Sequence, residues 1–306
     1  MKKDILSLLD LEKNDFIYLL ERAAEFKERF KNGIHDRPLT GRSLGLIFDK
    51  KSTRTRIAFE TAMIQLGGTP IYMRAQDTQI SRNEPARDTA RVLSRYLDAL
   101  AMRTFDHRIV EEFASASSIP VINALTDLFH PCQVLSDIMT IIENKGGYEN
   151  LKISWIGDGN NVANSWINAA AVLGLNLFVA SPDGYGVSRN IKEKAFEHAD
   201  SHIVFTDDPE AAADNADVIY TDVWTSMGQE EEHKKRIKDF QGFQVNKKLL
   251  ANAREDVLVM HCLPAHRGEE IAEDVLEAHN AIFWDQAENK RHIHKAILET
   301  LILKKR

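Results

Sequence analysis

At 306 residues the chain exceeds what one hydrophobic core usually serves, so two domains, or one large α/β domain, are expected. Hydrophobic residues at 43% and charged residues at 28% are ordinary globular usage and exclude a disordered or fibrous chain. A formal charge of −7 provides no global basic field, which argues against nucleic acid or an anionic membrane as the main partner and makes any anion site local.

The chain opens Met1-Lys2-Lys3-Asp4, and Asp10, Glu12 and Asp15 interrupt the stretch that follows, so it does not read as a signal-peptide core. No apolar run has the length of a membrane span. Cys132 and Cys262 are the only cysteines, which argues against a disulfide framework and for a reducing cytoplasm, although one bridge between them is formally open.

In chain order, residues 43 to 48, 98 to 103 and 119 to 122 read as strands, and 54 to 66, 85 to 97 and 131 to 143 as helices. Phe59, Ala62, Met63 and Leu66 recur at helical spacing and predict one buried face for the helix that starts near Arg54. The turn-rich Asn144-Lys145-Gly146-Gly147-Tyr148-Glu149-Asn150 is the expected domain boundary. Beyond it, residues 152 to 156, 175 to 180, 202 to 205, 218 to 220, 257 to 260 and 281 to 284 read as strands, most of them separated by helical patterns. A last helix is expected from about Asn289. This alternation predicts parallel βαβ construction.

Asp49-Lys50-Lys51-Ser52-Thr53-Arg54-Thr55-Arg56 follows a strand and opens a helix. Backbone N–H groups and hydroxyls would converge there at the positive end of the helix, and four cations reverse the chain's net sign locally, as a phosphate site requires. A solvated basic helix start with Ser52 as N-cap is the bland alternative. Arg103 ends the apolar run Ala99-Leu100-Ala101-Met102, at the strand edge where ligands bind in α/β sheets. His130 precedes Pro131, a residue suited to the first helical position, so its ring would stand at a fixed corner. Asp222 ends a strand and suits an amine.

Ser52-Thr53-Arg54-Thr55-Arg56 resembles the carbamoyl-phosphate signature of the aspartate and ornithine carbamoyltransferases. His130-Pro131-Cys132-Gln133, Asp222-Val223-Trp224-Thr225-Ser226-Met227-Gly228 and His261-Cys262-Leu263-Pro264 resemble the ornithine branch of that family in order and spacing. The resemblance implies an α/β fold of two Rossmann-like domains, each a parallel sheet flanked by helices. A carbamoyl phosphate-binding domain would occupy residues 1–145, with helix 289–306 packing back on it, and an ornithine-binding domain residues 146–288. It further implies transfer of the carbamoyl group of carbamoyl phosphate to the side-chain amine of L-ornithine, with no cofactor and no metal.

By the same resemblance Ser52, Thr53 and Arg54 bind the phosphate, Thr55, Arg103 and His130 polarise the carbonyl, and Gln133 binds the carbamoyl amine. Cys262 helps to orient the reacting amine, and the Leu263 carbonyl contacts the carbamoyl group. Asn161, Asp222, Ser226 and Met227 bind ornithine, under a loop for which Gly228 is the candidate hinge. Arg54, Arg103, His130, Asp222 and Cys262 carry the catalysis. Gln79 reaches a neighbouring subunit's site, which implies a homotrimer. The loop Ser81-Arg82-Asn83-Glu84-Pro85 resembles the family's only loosely. The family usually has arginine directly after the Glu-Asn pair, where this chain has Lys290 followed by Arg291, and position favours Lys290 for the anion.

Three other readings compete. Gly157-Asp158-Gly159-Asn160-Asn161-Val162 sits between a strand and a helix, with Asp183 beyond, as in a nicotinamide-binding turn, but Val162 stands where a third glycine belongs. His261, Cys262, His266, His292 and His294 invite a metal hydrolase without a matching carboxylate pattern. A non-catalytic amino-acid-binding protein would share the architecture, with no need for Ser52 to Arg56. Cys262 as a covalent nucleophile is disfavoured because the amine is itself competent, and Cys132 reads as an inert buried thiol. The run from Glu230 to Lys238 reads as a solvated connection with helix propensity. Aspartate is disfavoured as acceptor by Cys132 and by His261-Cys262-Leu263-Pro264; putrescine and acylated ornithine are harder to exclude, but the Ser226-Met227-Gly228 loop favours free ornithine.

Overall fold

All nine strands among the described residues pair in parallel, in two sheets, one in each half of the chain. The computed structural model describes residues 1–78, 84–197, 202–226, 228 and 230–303. It divides into two compact units, Met1–Met139 with Glu288–Arg306, and Thr140–Ala287.

The first unit runs α1 (Lys13–Lys31), β1 (Ser43–Phe48), α2 (Arg54–Gln65), β2 (Thr69–Arg74), α3 (Ala86–Leu93), β3 (Ala99–Arg103), α4 (His107–Ala116) and β4 (Val121–Leu125), then enters α5 (Pro131–Lys145). Its sheet has the order β2-β1-β3-β4. Strands β3 and β4 are buried throughout and β1 from its second residue, as continuous apolar runs covered on both faces should be. Phe59, Ala62, Met63 and Leu66 are buried together, as their spacing predicts.

Strand β2 went unread because Gly67-Gly68 precedes it and Pro70 interrupts it. The structure places it at the sheet edge, where a missing N–H is tolerated. Two expectations shift in detail. The helix expected over 85 to 97 ends at Leu93 with Pro85 as N-cap, and the strand expected over 119 to 122 runs from Val121 to Leu125.

The second unit runs β5 (Lys152–Ile156), α6 (Asn161–Leu173), β6 (Asn176–Ala180), α7 (Arg189–Phe196), β7 (His202–Thr206), α8 (Pro209–Ala213), β8 (Val218–Thr221), α9 (His233–Asp239), α10 (Lys247–Leu250), β9 (Leu258–His261) and α11 (Glu273–Ala278). The last helix, α12 (Asn280–Leu303), starts in this unit and ends in the first. The sheet order is β7-β6-β5-β8-β9. The Asn160 side chain accepts from the N–H groups of Val162 and Ala163 to start α6, and Gly174, at φ 72°, ends it.

Residues 281 to 284 correct a strand assignment: they form the first turn of α12. A four-residue apolar run does not separate strand from buried helix. Here Phe283 is fully buried in the second unit's core while its neighbour Trp284 is 55% exposed, the one-sided burial of a surface helix. Among the described residues no helix is long and apolar enough to cross a membrane.

Both sheets reverse direction once. In the first, the chain leaves β1 toward β2 on one side and later places β3 on the other; in the second, β5 has β6 on one side and β8 on the other. Ligands in open α/β sheets bind beyond the carboxyl ends of strands at such switch points. Those ends are Phe48 and Arg103, paired in register, in the first unit, and Ile156 and Thr221 in the second.

Candidate active site

In the first unit, Asp49 N–H donates to the Arg103 carbonyl at 2.8 Å, and the Thr104 hydroxyl donates to Asp49 Oδ2 at 2.9 Å, tying the ends of β1 and β3 together. The loop from Lys50 to Thr53 leaves that junction and starts α2. Thr53, not Ser52, is the N-cap residue, and it makes no side-chain cap hydrogen bond. The first N–H groups of α2 therefore face an acceptor that the helix itself does not supply.

The cations of this segment divide by role. Lys50 is buried, ion-paired with Asp127 and set over the Phe105 ring at 4.5 Å. Arg56 pairs with Glu60 at 2.9 Å and stacks on Tyr72 at 3.5 Å. Arg54 and Thr53 are exposed, Ser52 is partly buried and Thr55 is buried. Arg54 is thus the guanidinium of this segment left for a ligand, since no ion pair occupies it among the described residues.

Arg103, His130 and Gln133 are all buried: Arg103 ends β3, His130 directly precedes α5 and Gln133 lies in its first turn. Lys290, on α12 and only 3% exposed, donates to Gln133 Oε1 at 2.9 Å and to Thr55 Oγ1 at 3.3 Å. Gln133 Nε2 in turn donates to Asp137 Oδ1 at 2.8 Å. Burial, together with the positive charges of Lys290 and Arg103, holds the His130 imidazole well below its usual range. At neutral pH the ring is therefore neutral, with one N–H to donate. Arg291 points elsewhere: it pairs with Glu288 at 2.9 Å and stacks on Phe30 at 4.5 Å. Of the pair Lys290 and Arg291, Lys290 is thus the one beside Thr55 and Gln133. Cys132 is buried and donates to the Asn123 carbonyl at 3.6 Å, and burial pushes its thiol up to about 12, which disfavours the reactive thiolate.

In the second unit, Asp222 follows β8 and is buried. Its Oδ1 accepts from Cys262 Sγ at 3.0 Å and from Val223 N–H at 2.8 Å, and its Oδ2 accepts from Asn160 Nδ2 at 2.8 Å. Asn161 opens α6 and Ser226 lies on the segment after Asp222, both partly buried. Gly228 adopts φ 95°, a conformation open chiefly to glycine. Gln79 and Met227 lie outside the described residues.

Cys262 and Leu263 follow β9, and the latter sits at φ 56°, in the left-handed region that side chains usually avoid. His261 holds that turn. Its Nδ1 accepts from Leu263 N–H at 2.8 Å, so Nε2 carries the proton and donates to Glu270 Oε1 at 3.0 Å. Asp222, His261 and Cys262 bring ligand atoms within 4.8 Å of one another, close enough for a metal. Both ring nitrogens of His261 are nevertheless engaged by the protein, so the thiol answers to Asp222.

Sequence reasoning missed three positioning residues. Asn160 was read as part of a glycine-rich turn, yet it caps α6 and orients Asp222; an Asn before a helical pattern was the available signal. Arg236 corrects the reading of residues 230 to 238 as wholly solvated. It is buried, donates to the Trp224 carbonyl at 2.8 Å and pairs with Asp158 at 3.2 Å. Burial lifts Asp158 to about 6 in spite of that pairing. Glu270, fully buried beneath His261, carried no sequence signal.

The glycine turn after β5 has its own explanation. A Cβ on Gly159 would lie 2.5 Å from Val187 N and 2.6 Å from the Gly186 carbonyl carbon. The space that a pyrophosphate would need there is filled by the chain's own backbone.

Comparison with known proteins agrees with this geometry. Residues 3–143 match the aspartate/ornithine carbamoyltransferase carbamoyl-P binding domain, and residues 149–301 the Asp/Orn binding domain of the same family. An ornithine carbamoyltransferase of Syntrophus aciditrophicus is 53% identical over 302 residues, covering 99% of this chain and 100% of that protein. One from Geobacter sulfurreducens is 50% identical with the same coverage. Among solved structures, the ornithine carbamoyltransferase of Pyrococcus furiosus superposes with a TM-score of 0.92 at 48% identity, covering 96% of this chain and 95% of that one. The anabolic enzyme of Campylobacter jejuni gives a TM-score of 0.92 at 40% identity, covering 98% and 99%. With both family domains matched in order and relatives half identical from end to end, the chain belongs to the aspartate/ornithine carbamoyltransferase family.

Proposed function

We infer that the chain transfers the carbamoyl group of carbamoyl phosphate to the side-chain amine of L-ornithine, giving L-citrulline and phosphate. The observation that carries the chemistry is the buried group of Arg103, His130 and Lys290 at the carboxyl ends of the first sheet, beside the open start of α2. The acceptor follows from full-length relatives that are ornithine carbamoyltransferases.

The reaction needs charge stabilised at two places, the carbonyl oxygen and the departing phosphate. Ser52, Thr53 and Arg54, with the N–H groups of α2, take the phosphate. Lys290 adds a point charge that lacks the planar fork of arginine. Thr55, Arg103 and the neutral His130 donate to the carbonyl oxygen, and Gln133 receives the carbamoyl amine. Gln79 completes the phosphate contacts from a neighbouring subunit, so the assembly is a homotrimer. Asn161, Asp222, Ser226 and Met227 hold ornithine. Cys262 orients the reacting amine from its place on Asp222, and the Leu263 carbonyl contacts the carbamoyl group. The neutral amine then attacks the carbonyl carbon, the C–O bond to phosphate breaks, and the amine proton passes to the departing phosphate. The domain roles are carbamoyl phosphate binding for residues 1–145, with helix 289–306 returning to it, and ornithine binding for 146–288. Two cysteines that form no disulfide suit a cytoplasmic location.

The test follows citrulline formation with ornithine, putrescine, acetylornithine and aspartate as competing acceptors. Ornithine-dependent turnover that Arg54→Ala abolishes supports the reading. Preference for another acceptor overturns the ornithine assignment, and no turnover with any acceptor overturns the reaction. Mixing inactive Gln79→Ala and Arg54→Ala chains restores activity only if subunits share sites.

A further inference from the structure

Beside the turn that carries Cys262, a second group of polar side chains has no task in carbamoyl transfer. His266 Nδ1 lies 3.5 Å from Glu269 Oε2, and His233 Nε2 lies 3.5 Å from Glu269 Oε1. His266, Glu269 and Glu270 bring ligand atoms within 4.8 Å of one another.

These contacts do not satisfy the groups. His266 Nδ1, Glu269 Oε2 and Glu270 Oε2 are buried atoms with no hydrogen-bond partner among the described residues. Glu270 is 0% exposed and spends only Oε1, on His261 Nε2–H and on the His266 N–H at 2.6 Å. A buried carboxylate oxygen with no donor is costly, and a cation removes that cost. Two ligand atoms at zinc–nitrogen and zinc–oxygen distances, arranged tetrahedrally, stand ~3.4 Å apart, close to the 3.5 Å between His266 Nδ1 and Glu269 Oε2. The group lies near the surface, since the His266 side chain is 42% exposed and that of Glu269 25%.

The surrounding shell fits as well. His233 Nδ1 is 3.2 Å from the Thr225 hydroxyl, so an Nδ1 that accepts there leaves Nε2–H to donate toward Glu269 Oε1, 3.5 Å away, and to orient that carboxylate. Imidazole and carboxylate ligands together select a borderline divalent ion.

We propose that His266 Nδ1, Glu269 and Glu270 bind one divalent cation of the zinc class, with His233 Nε2 orienting Glu269. Bound there, the ion ties the start of α9, through His233 and Glu269, to the loop after β9, the two stretches that follow the Ser226–Gly228 and Cys262–Pro264 motifs. The site stands on its ligands alone and does not depend on the reaction assigned above.

The test uses the chelator-stripped full chain, with Zn²⁺ in equilibrium dialysis and Co²⁺ as a spectroscopic probe. Expected are one ion per chain, visible cobalt bands without a cobalt–thiolate charge-transfer band, and full binding in Cys262→Ser. His266→Ala and Glu269→Gln each weaken binding at least ~10-fold, and Thr225→Val weakens it about 10-fold through the tautomer of His233. Melting of the metal-free variants at the wild-type temperature shows that the losses are not unfolding, and zinc raises the melting temperature of wild type but not of His266→Ala. Absence of binding overturns the proposal. So does a thiolate band together with binding that survives His266→Ala and disappears in Cys262→Ser, which would assign the ion to Asp222, His261 and Cys262.

Discussion

The thiol of Cys262 points at Oδ1 of Asp222, 3.0 Å away, joining the loops that follow β8 and β9. A thiol that donates to a carboxylate is not held as a thiolate, which favours an orienting role over nucleophilic attack. Cys262→Ser keeps a donor to Asp222 and should retain much of the turnover, whereas Cys262→Ala should lower kcat about 10-fold or more with little change in KM for carbamoyl phosphate. Mass spectrometry of the wild type with carbamoyl phosphate alone should find no carbamoylated cysteine. An adduct at Cys262 would make the reaction two-step.

Lys290 and Arg291 can be separated by mutation. Lys290 sits on Gln133 and Thr55, and Arg291 on Glu288 and Phe30. A charged hydrogen bond contributes about 1.5–3 kcal/mol, so Lys290→Met should raise KM for carbamoyl phosphate roughly 10- to 100-fold. Arg291→Gln should leave that KM within about twofold. Steady-state kinetics decide, and the reverse order would move the anion contact to Arg291.

Gly159→Ala should destabilise the second unit. The added Cβ meets backbone at 2.5 and 2.6 Å, which no side-chain rotation relieves. Overpacking of this kind costs about 1–3 kcal/mol, readable as a lower urea midpoint. An unchanged midpoint would show that residues 185 to 187 yield freely.

Stability should fall as pH drops below about 6.5. Burial is the first cause that lowers His130 and His294 well below the usual imidazole range and His292 to about 4. Each folded-state value is depressed, so each contribution is complete above the unfolded value of 6.5 and is lost as pH falls from there toward the folded value. At pH 5.5 the loss is about 1 kcal/mol for each histidine. Asp158, raised to about 6, works the other way: its folded form binds a proton more readily, which adds stability as pH falls through that value. Urea melts at pH 7.5 and 5.5 should therefore give a lower midpoint at 5.5, and His292→Gln should narrow the difference. Equal midpoints would contradict the histidine burial.

The sequence by itself determined what short-range chemistry encodes. Continuous apolar runs declared β1, β3 and β5 because parallel strands are covered on both faces, and residue order at the strand ends placed Ser52 to Arg54, Arg103, His130 and Asp222 where such sheets take ligands. Tertiary structure decided whatever depended on a distant neighbour. Pro70 hid an edge strand until the sheet supplied its edge, and Ala281 to Trp284 became helix because Phe283 had a core to enter and Trp284 had solvent. Arg236 looked like one charge among many until Asp158 and the Trp224 carbonyl lay beside it. The choice between Lys290 and Arg291 depends on which face of α12 meets Thr55 and Gln133, 235 and 157 residues away in the chain. Local spacing puts a residue on a helix or at a strand end, but a side chain's partner is set by packing, which a single segment does not contain.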